Sequence, residues 1–162
     1  MTSLCGDAYS ELRMLTHGAL QIDPPAIETG GQCGAIEIVV PFTEWAVTEA
    51  VMKRAAAFTT KLNASLMLVA VHTVPYPMSF GCPALVHAHL VDQLIDLASR
   101  CPLPVNPQVV LERSCEEGFR YALKPESTIL LGTRRRFWKT SEERLAATLA
   151  RDGHHVALVH VE

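Results

Sequence analysis

The sequence predicts an α/β fold, a three-layer α/β/α sandwich around a five-stranded parallel sheet, and three observations carry that expectation. Five short apolar runs, at Ile36 to Val40, Leu66 to Val71, Gln108 to Leu111, Ser127 to Leu131 and Val156 to Val161, alternate with four stretches of helical periodicity. The first, second and fourth are apolar on consecutive residues, as in strands covered on both faces. The helix between the first two runs makes a βαβ unit, whose strands are parallel and whose crossover is right-handed.

Each element has its own signals. Residues 1 to 34 read as an N-terminal extension to a domain of residues 35 to 162. Tyr9, Leu12, Leu15 and Ala19 recur at helical spacing and predict a short amphipathic helix. Asp23-Pro24-Pro25 would end it, and Gly30 to Gly34 reads as a flexible joint. The extension is either a poorly ordered tail or an arm docked on its own domain or on a second subunit. From Ala35 the pattern is regular. Pro41 closes the first strand, and Thr43 is the expected N-cap of a helix running to about Leu62, with Val47, Val51, Ala55, Phe58 and Leu62 on its core face. After the second strand, Thr73 to Pro83 forms a long apolar loop with three prolines. A second helix spans about Ala84 to Ser99, with Val86, Leu90, Leu94 and Leu97 inward, and Cys101-Pro102-Leu103-Pro104 stops it. Ser114 and Glu117 make a capping box for a helix through Leu123. Thr140 and Glu143 make another, for a helix with Leu145 and Leu149 inward and Gly153 as its stop.

Composition narrows the function classes. A chain of 162 residues, 49% hydrophobic, is long enough for one domain that buries about 70% of its unfolded surface. The net charge of −3 sits entirely in residues 1 to 34, where Arg13 faces Asp7, Glu11, Asp23 and Glu28. The remainder is neutral without a basic face, which argues against nucleic-acid binding. The five cysteines form no CxxC pair, and their odd number does not suit a disulfide framework, so a reducing, cytoplasmic compartment is expected. No secretory leader pattern opens the chain. Leu62 to Val91 lacks Asp, Glu, Lys and Arg, yet prolines, Asn63 and histidines interrupt it, and no stretch approaches the ~20 apolar residues of a spanning helix; membrane insertion is not expected.

In an open parallel sheet, ligands bind outside the carboxyl ends of the strands where the strand order reverses. The candidate positions are the tail of the first strand, Pro41-Phe42-Thr43, and the stretch Ser127 to Lys139, STILLGTRRRFWK, after the fourth. Thr43, Gly132, Thr133, Arg134 and Arg135 are the candidate binding residues, since arginine forks suit phosphate or carboxylate and Thr140 lies nearby at a helix N-terminus. The competing reading is a solvated turn in which Arg144 and Lys139 pair in part with Glu142 and Glu143, with Trp138 as a packing residue. No metal site is expected, because His87 and His89, two residues apart, point to different faces of a helix. Ser114, Cys115 and Cys82 are the only nucleophiles of interest, and no motif places a base beside them. A phosphoacceptor receiver would need acidic residues where Phe42, Thr43 and Arg113 stand, and a dinucleotide-binding domain would need a glycine-rich turn in place of PFTEW.

From Ala35 to Glu162 the chain resembles the universal stress protein superfamily, in the run IVVPFTEWA, the strand LMLVAVH, the segment ILLGTRRRFWK and the terminal ALVHV. The resemblance implies sheet order 3-2-1-4-5, the adenine nucleotide alpha hydrolase-like arrangement, and a homodimer formed through the C-terminal strand. Nucleotide-binding members carry an Asp after strand one and a G-x2-G-x9-G-[ST] motif after strand four. Here Gly132 matches the first glycine, while Arg135, Leu145 and Ala146 hold the next three motif positions and Phe42 or Thr43 the acidic one. Those glycines let backbone N–H groups approach phosphates, and arginine and leucine disfavour the backbone required. The expected function is a non-enzymatic, homodimeric regulatory or scaffolding domain with a degraded ATP-binding motif, no cofactor, no catalytic residues, and a partner-facing loop at residues 74 to 80. The alternative is a sensor of ATP, another nucleotide or another phosphorylated small molecule in the cleft between the tails of strands one and four.

Overall fold

A computed structural model describes residues 36–59, 62–80, 84–134 and 140–161, together with the backbone of strand residues 12–14 and 20–22. In chain order the elements are β1 (Leu12–Met14), β2 (Leu20–Ile22), β3 (Ile36–Pro41), α1 (Trp45–Thr59), β4 (Ala64–Thr73), α2 (Ala84–Ser99), β5 (Val105–Glu112), α3 (Cys115–Ala122), β6 (Thr128–Arg134), α4 (Ser141–Arg151) and β7 (His155–Val161). They form one sheet ordered β1-β2-β5-β4-β3-β6-β7. Its five C-terminal strands are mutually parallel, in the expected order 3-2-1-4-5. The strand order reverses between β3 and β6, where Ile38 is level with Thr128 and Val39 with Ile129.

Two apolar layers sandwich this sheet. Val51, Met52 and Ala55 of α1 and Leu94 and Leu97 of α2 bury one face, against Ile38, Val40, Leu66, Leu68, Val109 and Leu111. Phe119 and Leu123 from the α3 segment and Leu149 of α4 bury the other, against Val39, Met67, Val69 and Ile129. Alternate residues of β3, β4 and β6 thus supply opposite cores, which is why these strands read as unbroken apolar runs. Gly118 brings α3 close to the sheet: a Cβ there would lie 2.4 Å from Val71 Cγ1.

The capping boxes form as expected at their first half. Ser114 Oγ accepts from Glu117 N at 3.2 Å, Thr140 Oγ1 accepts from Glu143 N at 3.2 Å, and Gly153 follows α4 with φ +94°. Four expectations change. The N-terminal segment is not helical at Leu12: β1 and β2 are antiparallel strands, because β5 would otherwise end the sheet with open hydrogen-bonding groups, and tertiary pairing outweighs helical spacing. Thr43 is not the cap of α1. The helix begins at Trp45, Glu44 O takes the first bond from Thr48 N at 2.8 Å, and Thr43 N donates to Thr48 Oγ1 at 3.3 Å. On α1 the buried positions Val47, Thr48, Val51, Met52, Ala55, Ala56 and Thr59 cover about half the circumference at 3.6 residues per turn; Phe58 falls within that arc by angle, yet in the last turn of the helix it is 82% exposed. The first turn of α2 stands off the sheet, which leaves Val86 52% exposed while Leu94 and Leu97 are buried.

Candidate functional site

The site the sequence points to lies at the carboxyl ends of β3 and β6. Gly132 is buried there, and a Cβ on it would lie 2.4 Å from Val47 Cγ1 and 2.7 Å from Val51 Cγ2. The glycine therefore answers a packing need: it lets α1 rest directly on β6. The next residue, Thr133, is also buried, and its hydroxyl meets Thr140 Oγ1 at 3.0 Å. That contact ties the tail of β6 to the N-cap of α4, where Thr140 already accepts from Glu143 N.

Arg134 emerges from the end of β6 and reaches across the mouth of the cleft to Glu44, with Nη2 at 2.5 Å from Oε1. Glu44 occupies the turn between β3 and α1, so the ion pair bridges the two strand tails. The first turn of α4 carries Glu142 and Glu143, which already complement the positive end of that helix. An incoming phosphate would therefore compete with Glu44 for Arg134 and meet two further carboxylates near the helix terminus. Of the five predicted binding residues, the fold brings Thr43, Gly132, Thr133 and Arg134 to this end of the sheet; Arg135 lies outside the described residues, as do Lys139 and Trp138. Arg144 makes no ion pair with Glu142 or Glu143. The ion pair the structure shows at this end of the sheet joins Arg134 to Glu44 across the cleft, and the pairing expected of Lys139 lies outside the described residues.

Sequence reasoning missed two residues. Glu44 stands one position beyond those inspected for an acidic group, and the only signal for it was the E of PFTEW. The second is Arg113, at the end of β5, around which the apolar loop is built. Its Nη1 donates to three carbonyls of that loop, Val74 O at 2.9 Å, Pro75 O at 3.2 Å and Met78 O at 2.8 Å. Its guanidinium carbon lies 4.1 Å from the ring centre of Tyr76 and 4.4 Å from that of Phe80. The loop is thus an ordered surface held by one cation, with Tyr76 still 80% exposed and Met78 exposed beside it. An arginine opposite two aromatics was present in the sequence, but nothing local pairs residue 113 with residues 76 and 80.

Of the remaining candidates, Cys82 lies outside the described residues, and Ser114 and Cys115 have structural occupations. Ser114 is spent as a cap, and burial, followed by the charge of Glu116, pushes the Cys115 thiol up and holds it protonated. His87 is half-buried and His89 exposed. The Nε2 of His87 has no hydrogen-bond partner among the described residues, and burial together with nearby His72 holds its imidazole below the ordinary 6.5. Asp152 and Arg120 join α4 to α3 at 2.8 Å; the hydrogen bond from Arg120 lowers the carboxyl of Asp152.

No protein-family model matches the chain, and no curated protein matches it in sequence. Solved structures do. A universal stress protein from Archaeoglobus fulgidus superposes with a TM-score of 0.56 at 11% identity, over 80% of this chain and 95% of that one. A universal stress protein in complex with cAMP gives a TM-score of 0.48 at 16% identity, over 80% of this chain and 100% of that one. The universal stress protein UspA from Lactobacillus plantarum gives 0.49 at 11%, over 81% and 100%. The chain has a universal-stress-protein fold, as its motifs and strand order imply. At 11% identity the first of these likenesses speaks for the fold alone.

Two outcomes follow for the site's surroundings. Arg113→Ala leaves three carbonyls and two rings without their shared partner, so amides of residues 76–80 should exchange with solvent at least about ten times faster, with Tm lowered by roughly 2–10 °C. Unchanged exchange would mean that the loop holds itself. For His87 the folded state disfavours the proton, so between its lowered value and the unfolded 6.5 the unfolded chain binds more protons and stability rises with pH. Acidification from about pH 7.5 to 5.5 should lower the Tm of the wild type by more than that of His87→Leu. Equal falls would remove His87 as a cause.

Proposed function

We propose that this chain is a universal-stress-like regulatory or scaffolding domain that acts as a homodimer through β7 and does not use nucleotide as the binding members of that family do. The observation that carries this reading is the Glu44–Arg134 ion pair across the tails of β3 and β6. It spends the described arginine of the degraded motif on an internal partner, and the one glycine that survives, Gly132, is required by the packing of α1. A sensor of a nucleotide or another phosphorylated molecule would need that pair to open. A non-enzymatic role accords with Ser114 and Cys115 being engaged as a cap and a protonated thiol.

The dimer reading rests on the contrast between the two edges of the sheet. The β5 side is covered in part by β2, whereas at the other side β7 has no further strand beside it among the described residues, Arg54 Nη1 donating to its His160 O at 2.9 Å. β7 reads HVALVHV, and Ala157 and Leu158 are exposed on it. An apolar edge of this length invites pairing with a second copy. The partner-facing surface is the Arg113-braced loop with Tyr76 and Met78, joined by Leu85 in the first turn of α2, which is 87% exposed. No helix among the described residues is long and apolar enough to cross a membrane.

Sedimentation velocity tests the assembly. The wild type should sediment as a dimer from about 1 to 100 µM, and Leu158→Lys, which places a charge on the open edge, as a folded monomer. A strictly monomeric wild type across that range would contradict the reading.

A further inference from the structure

The two edges differ in a second way. β5 spans eight residues, but β2 covers only the second half of it, with Leu20 level with Leu111, Gln21 with Val110 and Ile22 with Val109. The first half of β5 contains Pro107, which has no N–H to offer, so proline already weakens that half as a template for a further strand. Val109, Val110 and Leu111 are the part of this edge without such protection, and they are the part that β2 occupies.

The cover itself is slight. β1 and β2 are three residues each and, among the described residues, pair with one another and, through β2, with β5. A two-stranded ribbon of this length has little stability of its own. Between Ile22 and Ile36 lie 13 residues, numbered 23–35, whose length allows a reach of about 40 Å, whereas β2 and β3 stand three strand spacings apart, about 14 Å. Among the described residues the β2–β5 ladder is what joins the ribbon to the edge, and the length of the connection is enough for it to leave without moving β3.

We propose that the Val109–Leu111 edge of β5 is a strand-acceptor site, and that β1–β2 is its detachable built-in occupant. The ribbon keeps the edge closed in the free chain. When it is displaced, the edge takes an extended, uncharged segment of the same kind as Leu20-Gln21-Ile22, antiparallel to β5, from a partner protein. Main-chain hydrogen bonds supply the attachment, and apolar residues two apart on either side of a polar one supply the register. The site lies at the opposite end of the sheet from β7, so strand capture and dimerisation use different edges of the same molecule.

The test uses the full chain in three forms: wild type, Gln21→Pro, and Leu20→Pro/Ile22→Pro. Successive N–H groups of β2 face opposite neighbours, so these two variants together remove every one of its donors, whichever way each points. The measurements are hydrogen exchange at residues 109–111 and the anisotropy of a fluorescent synthetic peptide with the sequence of residues 17–25. At least one variant should lose protection at residues 109–111 and bind the peptide saturably, at least about ten times more tightly than the wild type, with the helix content of residues 36–161 intact. Unchanged exchange in both variants would overturn the ribbon as a cover. Lost protection without peptide binding would overturn the edge as an acceptor, and equal peptide affinity for the wild type would show that the ribbon does not occupy the site. A monomeric wild type in sedimentation would leave this result unaffected, so the two readings fail separately.

Discussion

Where α1 crosses β6, the side chains of Val47 and Val51 come so near residue 132 that a Cβ there would lie 2.4 and 2.7 Å from them. Helix and strand meet at a spacing that glycine alone accommodates, and much at this end of the molecule follows from it. The close approach fixes the N-terminus of α1 beside the tail of β6. Glu44, in the turn that enters α1, then faces Arg134, which leaves β6, and the two pair across the mouth between the strands. Buried Thr133, one residue before Arg134, is tied to Thr140 and so sets the start of α4. A residue that looks like the relic of a phosphate loop thus has a sufficient reason in packing, and the ion pair is a consequence of that packing.

At the far side of the sheet, one cation does for a loop what the glycine does for a helix. Arg113 gathers three carbonyls and two aromatic rings, so a segment without any charge of its own keeps a defined shape at the surface. The three features that face outward, the braced loop, the β7 edge and the ribbon-covered β5 edge, are separate from the tails of β3 and β6.

The parallel core was legible because its signals are local or periodic. Unbroken apolar runs report strands covered on both faces, and Ser114 and Thr140 report helix starts through bonds three residues away. What escaped depends on partners distant in the chain. Leu12 has helical spacing to its neighbours, yet it lies in a strand because β5, some ninety residues later, presents an edge through β2. Phe58 falls within the buried arc of α1 by angle, and spacing alone does not report that in the last turn it is 82% exposed. The fold brings the tails of β3 and β6 side by side, as strand order implied, while the Glu44–Arg134 pair and the bracing of the loop by Arg113 join residues 90 and up to 39 positions apart, beyond what spacing can disclose.

The claim that bears the most weight is that the β3–β6 cleft is closed to nucleotide. Calorimetric titration of the full chain with Mg-ATP to about 1 mM tests it directly. The account predicts no saturable heat for the wild type. Saturable binding tighter than about 100 µM that disappears in Arg134→Ala would contradict it, because it would mean that Arg134 leaves Glu44 for phosphate.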